Sequence, residues 1–182
     1  MYRIMPGMPL LPYFPEHMPN LYLYPYGQMR DQIPSYKSLQ EALELIKQAV
    51  SGEREDELFY SYLISIAPSA EDKTIIASIR EDERKHNRMF RKIYKDLTGQ
   101  TIMADGGESF EKPKSYIDGV RRALFGELAA MERYRDIRAG LPNRYYRDMV
   151  FEILTDELKH ADKYNYILNL DLRRMIKHVH EK

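Results

Sequence analysis

The segment Asp82-Glu83-Arg84-Lys85-His86 is repeated 74 residues later as Asp156-Glu157-Leu158-Lys159-His160. A helix turns about 100° per residue, so a Glu and a His three positions apart lie on one face, one turn apart. A single Glu-x-x-His pair is common on charged helices. Two such pairs in register indicate a duplicated unit that presents the same two ligand types twice.

Other residues obey the same interval. Gly52-Glu53 recurs as Gly126-Glu127, and Tyr60 recurs as Tyr134, so no insertion or deletion separates the two copies. Each Glu-x-x-His pair is therefore preceded by a further Glu at a constant distance. Together they can bring four carboxylates and two imidazoles to one point, which predicts a two-metal site.

Apolar residues recur with the helical period in four segments around these motifs, and no alternating strand pattern occurs. The caps and breakers predict helices from Ser38 to Pro68, from Ser69 to Gly99, from about Pro113 onward and from near Pro142 onward.

The loop lengths predict the topology. Short connections at Pro68 and Pro142 make each helix pair an antiparallel hairpin. The middle connection, residues 99–112, can extend about 46 Å at 3.3 Å per residue, and a helix of this length spans about 42 Å. The connection can therefore run the length of the bundle, which makes the second and third helices parallel. The prediction is an all-α four-helix bundle built from two duplicated antiparallel hairpins with one long crossover.

The ligand types restrict the metal. Each candidate ligand interrupts an apolar face, where an unneutralised carboxylate costs several kcal/mol. The four negative charges of the Glu side chains would balance the four positive charges of two divalent ions. Oxygen-rich ligation with two imidazoles and no sulfur favours iron or manganese over zinc or copper, with iron preferred.

Asp82 and Asp156 directly precede the Glu of each pair and point about 100° away from it, toward a neighbouring helix. A metal-bound His usually donates its other ring N–H to a carboxylate or carbonyl. The duplication predicts a crossed arrangement, in which Asp82 holds His160 and Asp156 holds His86.

Residues 1–37 differ from the rest of the chain. They contain seven of the ten prolines, several Met and Tyr, and little charge. Proline fixes φ and removes backbone donors, so this arm is predicted to be extended, with residues 38–182 forming the bundle domain. Its apolar side chains are predicted to lie on the bundle or on a sister subunit in a homodimer, or to dock on another protein.

Composition excludes several classes of protein. The 28 basic and 28 acidic residues balance, so no strong basic field favours nucleic acid. The absence of Cys excludes disulfides, thiolate zinc sites and iron–sulfur centres. The chain shows no signal peptide and no long apolar run, which predicts a cytoplasmic protein with no membrane contact.

The Gly-Glu-x6-Tyr motif followed by Asp-Glu-x-x-His, used twice, resembles the rubrerythrin-like branch of the ferritin-like di-iron superfamily over about residues 38–170. The resemblance implies bridging carboxylates at Glu83 and Glu157, and phenols that hydrogen-bond near the carboxylates at Tyr60 and Tyr134. It maps the metal ligands onto Glu53, Glu83, His86, Glu127, Glu157 and His160.

Two departures from that family stand out. The chain has no Cys for the rubredoxin-like centre that supplies electrons to rubrerythrins. The additional Glu one turn beyond the third-helix ligand is replaced by Ala130, and Asp56 holds the equivalent position in the first copy. These departures bear on whether the chain has rubrerythrin peroxidase activity.

Two functions are consistent with the sequence. The first is an oxidoreductase with two iron or manganese ions that reacts with peroxide or dioxygen, as a peroxidase, a ferroxidase or a manganese catalase. The second is a non-enzymatic metal-binding or interaction protein that acts through its arm, whose composition resembles that of spore-coat and shell-associated proteins.

Overall fold

The fold was analysed in a computed structural model, which describes residues 37–103 and 110–180 but not the side chains of Glu53 and of residues 177–180. The arm predicted over residues 1–37 therefore lies, except for Lys37, outside the described residues. The described part contains four helices and no strand. They are α1 (Leu39–Ile66), α2 (Ala70–Thr98), α3 (Tyr116–Gly140) and α4 (Arg144–His180).

Serine caps open three of the helices. Ser38 and Glu41 form a capping box at the start of α1, and the Ser69 side chain accepts the Asp72 amide at the start of α2. Gly99 ends α2 in the left-handed conformation with φ of 72°. The third helix begins three residues later than Pro113 suggested, because Ser115 is its N-cap and accepts the amide of Asp118.

Helices α1 and α3 run antiparallel. A Cβ atom placed on Gly140, at the end of α3, would lie 2.6 Å from the Ser38 carbonyl oxygen at the start of α1. At the opposite end, a Cβ atom on Gly119 would lie 2.5 Å from Leu63. Since α1 and α2 also form a hairpin, α2 and α3 are parallel. The prediction of an all-α bundle of two hairpins with one long crossover is confirmed.

A buried carboxylate joins three helices at one end of the bundle. Asp72 is fully buried and accepts hydrogen bonds from the Tyr116 hydroxyl at 2.9 Å and from Arg174 at 2.8 and 3.1 Å. Burial alone would raise the pKa of Asp72, but these donors and Ser69 lower it below its usual value. The carboxylate therefore stays ionised, and it holds the start of α2 against α3 and the last part of α4.

The hydrophobic core consists of two clusters with a polar layer between them. We call them the Phe90 cluster and the Tyr164 cluster. The Phe90 cluster includes Ile46, Val50, Phe90, Ala130, Tyr134, Ile137, Val150 and Ile153. The Tyr164 cluster includes Phe59, Tyr60, Leu63, Ile76, Ile79, Val120, Tyr164 and Ile167. The repeated motifs occupy the layer between these clusters.

Candidate metal centre

Four of the predicted ligands converge in this layer. One ligand atom from each of Glu83 on α2, Glu127 on α3, and Glu157 and His160 on α4 lies within 4.8 Å of the others. All four residues are at most 2 % exposed. The Glu-x-x-His spacing puts Glu157 and His160 on one face of α4, as predicted. Three buried carboxylates at this separation repel one another unless cations or protons neutralise them.

His86 completes the group. Its Nδ1 atom lies 3.3 Å from Glu83 Oε2 and 3.1 Å from Glu157 Oε1. The rings of His86 and His160 stack with centroids 5.7 Å apart. The structure therefore brings five of the six predicted ligands together. The side chain of the sixth, Glu53, lies outside the described residues.

Both crossed carboxylate–imidazole contacts are present. His160 Nε2 lies 3.0 Å from Asp82 Oδ2, and His86 Nε2 lies 3.2 Å from Asp156 Oδ2. An ionised carboxylate only accepts hydrogen bonds, so Nε2 carries a proton and donates it in both rings. In both rings the other nitrogen, Nδ1, faces the carboxylate group. Metal ligation would therefore use Nδ1, a distinction that the spacing of the sequence does not provide.

Lys159 connects the two crossed pairs. Its ammonium group lies 2.6 Å from Asp156 Oδ1 and 3.1 Å from Asp82 Oδ2. Burial would raise the pKa of Asp82, but the hydrogen bonds from His160 and Lys159 lower it below its usual value. The hydrogen bond from His86 is the main cause that lowers the pKa of Asp156. Both carboxylates therefore remain ionised acceptors for the imidazoles.

The two repeated tyrosines lie beside the site. The Tyr60 hydroxyl donates a hydrogen bond of 2.7 Å to Glu127 Oε1, and both groups are buried. Tyr134 is also buried, and its ring packs edge-on against Phe90 with centroids 5.0 Å apart. Tyr60 is thus placed to orient a carboxylate of the site, as the family resemblance implies.

The pKa values describe how the metal-free site is neutralised. Burial would lower the pKa of both imidazoles, but the carboxylates around them outweigh it and raise the pKa of His86 to about 11 and that of His160 to about 12. Burial, together with the negative charge of Glu83, raises the pKa of Glu127 well above its usual value. At neutral pH the metal-free site therefore holds protons on both imidazoles, and burial favours the protonated form of Glu127.

Divalent metal ions fit this set of donors. His160 Nδ1 lies 3.2 Å from Glu83 Oε1 and 3.5 Å from Glu127 Oε2, yet it makes no well-aligned hydrogen bond in the described part of the chain. The same holds for the buried Oε1 of Glu157. A metal ion would take the place of the protons and give both atoms a partner. Oxygen-rich ligation with imidazole is the donor set that iron and manganese accept.

Sequence reasoning missed two features around the centre. Lys159 belongs to the repeated motif, but its bridging role depends on the packing of α2 against α4, which spacing does not reveal. Tyr164 is fully buried, and its counterpart at the 74-residue interval is Phe90. A search for positions that break the repeat, rather than for those that keep it, would have identified Tyr164.

The architecture and the site define the class of protein. A bundle of two helical hairpins with a long crossover, enclosing Glu and His side chains from α2, α3 and α4, is a ferritin-like fold with a buried group able to hold metal. The chain belongs to the rubrerythrin family, which it matches over residues 44–165, more than half of its length.

One relative of the chain is an uncharacterized protein, YhjR, of Bacillus subtilis (strain 168). It is 28% identical over 123 residues, which cover 68% of this chain and 83% of the relative. No solved structure matches the chain significantly. Within the described residues, none of the helices combines the length and hydropathy required to cross a membrane.

Proposed function

We propose that the chain binds two iron or manganese ions and acts as an oxidoreductase on peroxide or dioxygen. Its ligands are Glu53, Glu83, His86, Glu127, Glu157 and His160. The observation that carries the proposal is the convergence of three buried carboxylates and two imidazoles, each imidazole with its Nδ1 directed inward. The family supports metal binding. A pair of redox-active ions would supply the electrons for cleavage of an O–O bond.

The protein itself performs three tasks in this proposal. Glu83 and Glu157 face both imidazoles, so each carboxylate would help to hold both ions. The Asp82 and Asp156 carboxylates fix the tautomer of the imidazoles. The two apolar clusters exclude water from both sides of the layer, which strengthens the electrostatic interactions within it.

The phenols have a separate role. Burial, and then the charge of Glu127, raises the pKa of Tyr60 well above its usual value, so the hydroxyl keeps its proton at neutral pH. It therefore remains a hydrogen-bond donor to Glu127, and it could donate in the same way to an oxidant bound beside it. Tyr134 holds the corresponding position in the other copy, and we propose the same role for it.

Metal analysis and turnover test the proposal. The purified chain should bind two ions after reconstitution with Fe(II) or Mn(II), and the loaded protein should consume hydrogen peroxide. Replacing both Glu83 and Glu157 by Gln should abolish binding of both ions. Glu152→Gln is a matched control, because Glu152 lies on α4 five residues before Glu157 and its side chain is 52% exposed on the surface, paired with Lys85. Loaded protein that reacts with neither peroxide nor dioxygen would contradict the oxidoreductase assignment and leave metal binding as the function.

A further inference from the structure

The two ends of the metal centre are chemically different. Tyr60 packs against Tyr164, with ring centroids 5.8 Å apart. At the other end, Tyr134 packs in the same way against Phe90, which is the counterpart of Tyr164 in the repeat. One end therefore carries a hydroxyl group that the other end lacks.

A second departure from the repeat lies at the same end. Asp56 occupies the position of Ala130 in the other copy. It lies one helical turn before Tyr60, and its charge acts on both Tyr60 and Tyr164. Ala130 belongs to the Phe90 cluster, at the apolar end. Tyr164 and Asp56, the two polar residues that break the repeat, therefore lie at the same end of the centre.

Among the described residues, the Tyr164 hydroxyl has no well-aligned hydrogen-bond partner. The residue is fully buried, and within the described residues no group meets its hydroxyl at the distance and angle of a hydrogen bond. The neighbouring Tyr60 hydroxyl donates to Glu127. A buried hydroxyl without a partner destabilises the fold, so such groups are rare in folded proteins and usually mark a ligand or an ordered water.

The direction of Tyr164 follows from its position on α4. It lies four residues after His160 and seven after Glu157, so all three side chains share one helix face. Burial raises the pKa of the Tyr164 phenol well above its usual value, and the charges of Glu127 and Glu83 add to this. A polar contact with the Tyr60 hydroxyl, the smallest contribution, lowers it. The phenol therefore remains a neutral hydrogen-bond donor next to the carboxylates.

We propose that the Tyr164 hydroxyl and Asp56 form a binding position for one small oxygen-containing or anionic ligand, such as water or a peroxide, at this end of the metal centre only. The Tyr164 hydroxyl would donate a hydrogen bond to the ligand, and Asp56, one helical turn before Tyr60, would line the same position. This inference rests on the proposed function, because metal ions are needed to attract an anion to a group of carboxylates. It makes the two ions inequivalent despite the internal repeat.

Azide is a suitable probe because it is small, anionic and gives a charge-transfer absorption when it binds ferric iron. We would titrate iron-loaded wild-type protein, Tyr164→Phe and Asp56→Asn with azide. Tyr164→Phe should bind azide about 10-fold more weakly, the effect of one hydrogen bond to a charged acceptor. Tyr166→Phe is the matched control, since its hydroxyl lies on the same helix but contacts the surface residue Glu71, and it should bind azide like the wild type.

The stability of the metal-free protein gives an independent readout. Because the Tyr164 hydroxyl has no well-aligned partner in the described part of the chain, Tyr164→Phe should melt at or above the wild-type temperature. Tyr60→Phe, which removes the hydrogen bond to Glu127, should melt below it. Normal iron content with unchanged azide affinity in Tyr164→Phe would overturn this inference and leave the proposed function intact. Loss of iron from Tyr164→Phe would also overturn it, because the hydroxyl would then support the metal ligands. Absence of metal from the wild-type protein would refute the proposed function and this inference together.

Discussion

Replacing Asp82 by Asn changes the hydrogen bond that orients His160 and leaves the size of the side chain unchanged. In the wild-type protein the Asp82 carboxylate accepts the Nε2 proton of His160 at 3.0 Å. This contact favours the tautomer with Nδ1 free for a metal ion. An amide is a weaker, uncharged acceptor, and its NH2 group can face the ring instead, which favours the wrong tautomer. We expect Asp82→Asn to bind metal more weakly.

The size of the effect follows from the contact. A hydrogen bond to a charged group contributes about 1.5–3 kcal/mol to stability or binding. The Asp82 side chain is 28% exposed, so solvent weakens the interaction and places it near the lower limit. About 1.5–2 kcal/mol corresponds to a loss of about 10–30-fold in metal affinity, within the range of about 10–100-fold found for partners of metal-bound His. Asp156 lies 3.2 Å from His86 in the wild-type protein, so Asp156→Asn should lose metal affinity by a similar factor.

Competition with a chelator for Mn(II) would measure the affinities. Asp148→Asn is the matched control, because Asp148 also lies on α4 and has a polar contact, at 3.1 Å with Arg144, but is 58% exposed. Nitrogen-15 NMR of the imidazoles in metal-free protein tests the crossed pairing directly. Asp82→Asn should shift the signals of His160 and spare those of His86. Wild-type metal affinity in both Asp82→Asn and Asp156→Asn would refute the reasoning. A shift of the His86 signals in Asp82→Asn, with those of His160 unchanged, would also refute it.

Three further outcomes are expected. Metal loading near neutral pH should release at least the two imidazolium protons, since His86 and His160 have pKa values of about 11 and about 12 in the metal-free protein. Metal affinity should then rise at least about 100-fold per pH unit between pH 6 and 8, and a pH-independent affinity would contradict this. Burial, then Glu83 and Glu157, raises the pKa of Asp56 from 3.8 to about 8. The unfolded chain therefore loses this proton first, and the free energy of unfolding of metal-free protein should fall as pH rises from about 4 to 8. Urea titrations should show this decline in wild type but a smaller one in Asp56→Asn, and equal slopes would exclude Asp56 as its source. Tyr60→Phe removes the hydrogen-bond donor to buried Glu127 and should lower the free energy of unfolding by about 1–3 kcal/mol. Urea unfolding would measure this against the control Tyr166→Phe. Equal stability of the two variants would show that the hydrogen bond between Tyr60 and Glu127 contributes nothing.

The sequence was sufficient to predict the fold because helix signals and loop lengths are local. Ser69 and Gly99 bound α2 as expected from their side-chain and backbone chemistry. The start of α3 was less accurate because Pro113 and Ser115 both resemble helix starts, and only the hydrogen bond from Asp118 to Ser115 distinguishes them.

The site was predictable where the two copies agree. Glu83 and Glu157 repeat in register, and the structure brings them together. The bridging position of Lys159 was not predictable, because its counterpart Lys85 holds the same place in the repeated motif yet pairs with Glu152. Packing between α2 and α4 distinguishes these two lysines, and no local pattern encodes it. The role of the arm over residues 1–37 stays a prediction.

The two repeated glycines have a consequence for local motion. Gly52 and Gly126 each precede a candidate ligand in the interior of a helix, and a Cβ atom added to either would meet no other atom within 4 Å. Packing therefore does not require glycine at these positions, although glycine costs a helix about 1 kcal/mol relative to alanine. Each helix is thus easiest to open next to its own ligand, and amide hydrogen exchange there should be faster than in the flanking turns. The backbone that carries Glu53 and Glu127 can yield when the charge of the centre changes, while α2 and α4 hold the imidazoles in place.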